Sequence, residues 1–419
     1  MKTKLALFLS TTSLLHAGPP DVEPIPGQKP EPWIKPVIDI RARYEFGDVD
    51  ELDPSHAFSI RERLGLKTMA WNGFSAFIEG EFSQAVIDDY NGSAGPGAEP
   101  FDPFNTPIAD PETNELNQLY LQYEGFDTMV KLGRQRIIYD NAAFVGNVGW
   151  RQNEQTYDGI SFANKSIDGL TLNYSYVTQV NRIFGSDADL PISAGPPPFT
   201  NVQDLNAEVH LFNASYAGIP GVTLGGYAYI MNFEDLGTWD NNTFGMSAKG
   251  TVGGITLYGE AAWQDKADVM GEEDALYAHA TATKTFGTQS VTLGVEHLDA
   301  GFKTPLATVH LFNGFADATD GGRIAGAHNG LTDVYVSHTI PLFCGIKWTN
   351  ALHGFGDNEI STGYGWEFDS VLSKKFDDNF TVIAKFAHLE SEGDVYIDNP
   401  LALGLPTTTR VSVELNYTF

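Results

Sequence analysis

The chain has 419 residues, with 54 acidic against 25 basic side chains, a formal charge of −29 and a mean hydropathy of −0.19. That balance excludes a nucleic-acid binder, which needs cations to displace phosphate counterions. The single cysteine, Cys344, excludes an internal disulfide.

Met1 to Ala17 reads as a secretory signal: Lys2 and Lys4, then a mostly apolar run, then Leu15-His16-Ala17 before Gly18. Residues 18–32 form a proline-rich leader that suits neither helix nor inner strand, placed on the periplasmic side. No later stretch reaches the 18 or more apolar residues of a transmembrane helix. A chain that spans a bilayer without helices must close into a barrel, because each backbone polar group in lipid needs an internal partner.

From residue 33 to 419, apolar and polar residues alternate. In the last strand Val411, Val413, Leu415, Tyr417 and Phe419 share one face, and Arg410, Ser412, Glu414, Asn416 and Thr418 the other. Eighteen such stretches occur. Eight connections are tight: at Asn72, Gly125, Ser166, Gly218-Ile219-Pro220, Val252, Gly287, Pro341 and Asp377-Asp378. Nine others are longer, the longest being 84–115, 181–203 and 301–329. The reading is an all-β, transmembrane antiparallel barrel of about 18 strands, with short periplasmic turns and long extracellular loops. Aromatic residues make up 12% of the chain, as girdles at two bilayer interfaces require. Loops 84–115 and 301–329 are long enough to fold into the lumen or cap it.

The first hairpin carries most of the chemistry. Lys35, Asp39, Arg41, Arg43 and Glu45 share a face opposite Ile34, Ile38 and Ile40. Ser59, Arg61, Arg63 and Lys67 share a face opposite Phe58, Ile60 and Leu64. The polar sets point into the lumen, since Arg or Lys facing lipid at mid-bilayer costs about 2–4 kcal/mol. Four guanidinium groups from neighbouring strands then meet near mid-height. They form either a ladder satisfied by Asp39, Glu45, Glu79 and Glu81 or a track for passing carboxylates, and the two readings can coexist. Glu62 breaks the pattern: alternation puts it on the lipid face unless a bulge intervenes.

Ser59-Ile-Arg-Glu-Arg-Leu-Gly-Leu-Lys67 and Trp71-Asn-Gly-Phe-Ser-Ala-Phe-Ile-Glu-Gly-Glu81 resemble the early strands of the alginate-export family of outer-membrane porins. Leu132-Gly-Arg-Gln-Arg-Ile137, Asn147-Val-Gly-Trp-Arg-Gln-Asn-Glu-Gln-Thr-Tyr-Asp-Gly159 and His310-Leu-Phe-Asn-Gly-Phe-Ala-Asp317 extend the likeness. The resemblance implies an 18-stranded barrel that passes an anionic uronic-acid polymer through an arginine-rich constriction. By position it nominates Arg61, Arg63, Arg134 and Arg151 as lumen residues. On strand five, Val130 and Leu132 share parity with Arg134 and Arg136, so a bulge or the bilayer edge must intervene.

Other signals are sparse. Asp317-Ala-Thr-Asp320-Gly-Gly322 offers a weak loop-bound calcium candidate without the full loop pattern; no other cofactor is expected. Ser337-His338 supports a lipid-face hydrolase only as a third option. Cys344 reads as a small apolar filler. Loop acids such as Asp88, Asp89, Asp110, Glu112, Glu115, Asp187 and Asp317 suit a solvated outer surface that bridges to lipopolysaccharide through divalent cations. The expected protein is a monomeric channel of the bacterial outer membrane, embedded in lipid and lipopolysaccharide, for anionic oligo- or polysaccharides. The alternative is a general or cation-preferring porin.

Overall fold

The structure is a computed structural model that describes residues 32–188, 204–269, 272–327, 329–392 and 405–419. The expected secretory segment, nearly all of the leader, and parts of the loops 181–203 and 392–408 lie outside those residues.

Eighteen strands follow in chain order. They are β1 (Ile34–Val49), β2 (Ser55–Thr68), β3 (Phe74–Asp89), β4 (Thr113–Gly125), β5 (Thr128–Gln135), β6 (Thr156–Ile167), β7 (Leu170–Asn181), β8 (Leu205–Ile219) and β9 (Val222–Phe233). Then come β10 (Asn241–Val252), β11 (Ile255–Val269), β12 (Glu272–Phe286), β13 (Gln289–Leu298), β14 (Leu331–Pro341), β15 (Lys347–Gly356), β16 (Gly363–Lys375), β17 (Phe380–Ser391) and β18 (Thr408–Thr418). Each strand pairs antiparallel with its sequence neighbours, and β1 pairs with β18 from Asp39↔Thr418 to Val49↔Thr408. Closure leaves no sheet edge, which satisfies the backbone within the sheet.

The tight turns carry the local chemistry that the alternation predicts. Asn72 and Gly73 adopt φ of 51° and 85°, and Phe126 and Asp127 adopt 55° and 54°. Two consecutive positive φ values match the twist of the flanking strands in a two-residue hairpin. Cys344 sits in such a connection, exposed and at φ 56°, so it is a turn residue and fills no apolar gap.

Outward faces are apolar and exposed, as with Leu64, Leu66, Leu132, Leu293 and Val334. The inward faces meet a filled lumen. The connection 299–330 enters the barrel, as the sequence allowed. The connection 136–155 enters beside it. The two run together: Val145 bridges Leu306, Gly146 N donates to Leu306 O at 2.8 Å, and Thr308 N donates to Ala142 O at 3.0 Å. Their apolar side chains, Phe144, Val145, Phe302 and Leu306, join inward residues of β7–β13, such as Val209, Tyr229 and Tyr277, in one buried cluster.

The connection 90–112 caps the top of the first hairpin. Tyr90 and Ile108 pack with Ala57, and Ser55 Oγ donates to Thr106 O at 2.6 Å. A bulge between Glu79 and Gly80 interrupts the β3–β4 register, with Gln118 opposite Glu79 and Leu116 opposite Gly80.

Candidate permeation constriction

The β1–β2 register sets Arg41 directly opposite Arg61 and Asp39 opposite Arg63, while Arg43 faces Glu414 of β18. Four guanidinium groups therefore do meet on the inner wall. They are not a bare track. Side-chain exposure is 14% for Arg41, 1% for Arg43, 0% for Arg61 and 4% for Arg63. The loop 136–155 lies over them.

Arginine donors from the wall hold that loop by its carbonyls. Arg41 Nη1 donates to Trp150 O at 2.8 Å and Arg151 O at 2.9 Å, and its Nη2 donates to Gly149 O at 3.1 Å. Arg43 donates to Trp150 O, and Arg63 Nη2 to Gln152 O at 3.3 Å. Gln152 returns a bond from Nε2 to Ser59 Oγ at 2.8 Å.

Carboxylates balance the charge. Arg43 pairs with Asp110 at 3.1 Å and Glu414 at 3.0 Å; Arg63 pairs with Glu81 and reaches Glu154 at 3.6 Å; Arg61 pairs with Asp39. Arg151 reaches Glu45 at 3.3 Å and Asp317 at 2.9 Å, and Arg410 reaches Glu45 at 3.3 Å. Burial strengthens such pairs and makes loss of either partner costly. Two donors of Arg61, Nε and Nη1, find no acceptor among the described residues. The ladder reading thus describes most of this wall.

The loop at 301–329 adds a second joint. His310 stacks on Trp150 with centroids 3.3 Å apart. Its Nδ1 lies 2.6 Å from Asp317 Oδ1, and its Nε2 lies 2.8 Å from Lys385 Nζ. A neutral ring that donates from Nδ1 and accepts from Lys385 at Nε2 satisfies all three groups. Burial, with Lys385 next, holds the His310 pKa down to about 3. Burial pushes the Asp317 carboxyl up, but His310 and Arg151 outweigh it and hold the group below the usual carboxylate range.

Several sequence expectations need correction. Arg134 does not face the lumen. It stands in register with Leu119 and Asp158 on the outward face it shares with Leu132. No bulge turns β5 inward before it; Asp158 supplies a bidentate pair at 2.7 and 3.0 Å. Arg136, beyond the strand end, does turn inward and pairs with Glu154. Of the calcium candidate, Asp317 is engaged by Arg151 and His310. Among the described residues no group of His, Cys, Asp and Glu is placed to hold a metal. Asp110, buried, is a partner of Arg43, and Asp317, with its side chain 6% exposed, is a partner of Arg151; neither is a solvated loop acid. Ser337 points inward with Tyr335, whereas His338 points outward with Val334 and Val336, so adjacency on a strand separates the hydrolase pair.

Lys67 stays inward near the periplasmic end, directly opposite Lys35. Lys131, also inward, lies over the Tyr120 ring at 4.7 Å. Arg136 keeps 35% exposure. Sequence reading missed Trp150, Glu154, Asp110 and His310 as parts of the constriction. The polar run Gln152-Asn-Glu-Gln155, dense for a connection that meets only water, was the available signal.

This geometry is that of a transmembrane β-barrel: a closed antiparallel sheet, apolar outside and polar within. No family model matches the chain, and no curated protein matches it. Solved structures do. Pseudomonas aeruginosa OpdO superposes with a TM-score of 0.63 at 12% identity, over 92% of this chain and 97% of that one. P. aeruginosa OccK9 (OpdG) gives 0.65 at 16% identity, over 92% and 98%. Acinetobacter baumannii OccAB3 gives 0.66 at 12% identity, over 92% and 99%. The chain shares the 18-stranded barrel fold of these outer-membrane porins.

Proposed function

We propose that the protein is a passive outer-membrane channel for solutes that carry a carboxylate. The observation that carries the reading is the set of inward cations on the periplasmic side of the constriction. Lys35 and Lys67 stand opposite each other, Lys131 follows on β5, and the partly exposed Arg136 continues the row up to Glu154 in the constriction itself. Low-dielectric walls focus the field of such a row, and several weak sites let an anion enter and leave. The wider arginine cluster serves a second purpose, since it holds the loop that narrows the lumen.

The two zipped loops favour short solutes over long polymers. Single uronates, short uronate oligomers and aromatic acids fit the proposal; a solved structure of P. aeruginosa OpdK, of the same fold, is described with vanillate. The alginate-export resemblance supports the carboxylate class, with the polymer as its limiting case. A cation-preferring porin is the second reading. It is favoured by the pairing of the arginines and by the acids Glu296, Asp333, Glu367 and Asp369 on the β13–β16 wall. In planar bilayers under a potassium chloride gradient, the reversal potential is expected to show anion preference. Vanillate or a uronate dimer is expected to block the current from either side. Cation preference with no block by either acid selects the second reading.

A further inference from the structure

Glu62 is the one carboxylate in the middle of the first hairpin that keeps its outward parity. The β1–β2 register is unbroken from Ile34↔Thr68 to Gly47↔Ser55, and the β2–β3 bulge lies above it, between Phe58 and Ser59. Glu62 therefore stands between Ile40 and Phe82 on the lipid-facing surface, exposed. It forms no hydrogen bond or ion pair with any described residue. A charge on that face is unfavourable, most of all at mid-depth.

The same face also holds Arg134, its one cation among the described residues of β2 to β5, besides the uncharged Gln84 and Asn114. Glu62 lies six residues from the periplasmic end of β2 at Thr68, and Arg134 lies six residues from the periplasmic end of β5 at Thr128. With a rise of about 3.3 Å and a tilt near 40°, both sit about 15 Å up, inside an apolar band about 25 Å tall. Three strand steps of about 4.8 Å separate them sideways. Between them lies a shallow, open depression around Gly80, lined by Leu64, Leu66, Ile78, Phe82 and Leu116 together with Asn114 and Glu115. A side chain at Gly80 would meet the Phe82 ring at 3.0 Å, so glycine keeps the hollow open.

We propose that this face, β2 to β5, docks a second copy of the chain in the membrane. A two-fold axis along the membrane normal preserves height and exchanges left with right. It sets Glu62 of one copy against Arg134 of the other, twice, as an isologous contact requires. The Arg134 guanidinium keeps its bonds to Asp158 and to Leu116 O and has donors to spare. Lipid tails offer Glu62 no donor; a second copy does. The proposal departs from the monomer expected of the sequence and is independent of what the lumen passes.

The test uses full-length protein in isolated outer membranes, with Cys344→Ala as background. Gly80 and Leu116 are paired across β3 and β4 near the proposed axis. Leu116→Cys is expected to give a covalent dimer with a short thiol cross-linker, whereas Leu257→Cys, lipid-facing on β11, is expected to stay monomeric. Glu62→Arg is expected to lower the cross-linked fraction several-fold, and the exchange Glu62→Arg with Arg134→Glu to restore it. Glu62→Gln keeps the test readable if the reversed charge misfolds, and heat-modifiable gel mobility reports folding of each variant. No Leu116→Cys dimer, or one indifferent to Glu62, overturns the proposal. So does a monomer that retains lipopolysaccharide at this face.

Discussion

The lumen loops are held from two sides by different physics. On the β1–β2 and β18 wall, arginines and carboxylates grip loop carbonyls and loop charges. On the β7–β12 wall the same loops lie mainly against rings: Phe144 sits 5.1 Å from Tyr227 and 5.1 Å from Tyr277, centroid to centroid, and only at β13 does an ion pair, Arg323–Glu296 at 2.9 Å, join this side among the described residues. Packing of that kind is non-directional and indifferent to salt and pH. The ionic side is directional, and each member depends on its partner. The charged wall is therefore the side on which the loops respond to conditions, and the aromatic wall is their anchor.

The largest expected effect comes from breaking the charged side at a buried arginine held by two buried carboxylates. Arg43→Ala leaves Asp110 and Glu414 buried without their cation, and losses of this kind run to about 3–5 kcal/mol. The loop 136–155 should detach, which raises single-channel conductance and exposes the segment to protease. Conductance unchanged within noise would show that the ionic wall is not what holds the loop. The aromatic side should cost about as much at its centre: Phe144→Ala removes a core ring, worth about 3–5 kcal/mol. That loss should be insensitive to ionic strength, in contrast with partly exposed Arg41→Gln, whose milder effect should shrink in high salt.

A smaller effect sharpens the comparison through pH. An opened loop lets His310 titrate near about 6.5, while the closed loop holds it at about 3. The open state binds more protons between those values, so acidification through that window favours opening. Asp317, depressed in the closed loop, adds to this as pH falls below its ordinary range. Asp320, raised by burial and by Asp317, works in the opposite sense above that range. His310→Gln is expected to remove the acid-favoured part of opening, so that between pH 7 and pH 4.5 the opening frequency in bilayers rises less, or falls more, in the variant than in the unaltered chain. The smallest effect belongs to Arg134. Its outward position predicts that Arg134→Gln leaves the reversal potential where it was, while Arg136→Gln moves it toward cations. Equal shifts would return Arg134 to the lumen.

Much of this molecule was legible in the chain, because a strand has a period of two and a barrel sorts that period into lipid and lumen. Strand number, the short turns at Asn72-Gly73 and Phe126-Asp127, and the inward side of Arg41, Arg43, Arg61 and Arg63 all follow from local pattern. Local pattern also put Glu62 and Arg134 outward, where the structure has them; only the assumption that charges must avoid lipid, together with the family likeness, had argued otherwise. Tertiary structure alone decided where the loops go. Nothing within three or four residues of Trp150 specifies that its carbonyl meets Arg41 and Arg43, more than a hundred positions away. Alternation likewise reports a face but not what covers it, so Arg61 read as a lumen cation while a folded-in loop leaves it fully buried. Those contacts form only after the sheet has closed and brought distant charges within reach, which is why they belong to the fold and not to any segment of the chain.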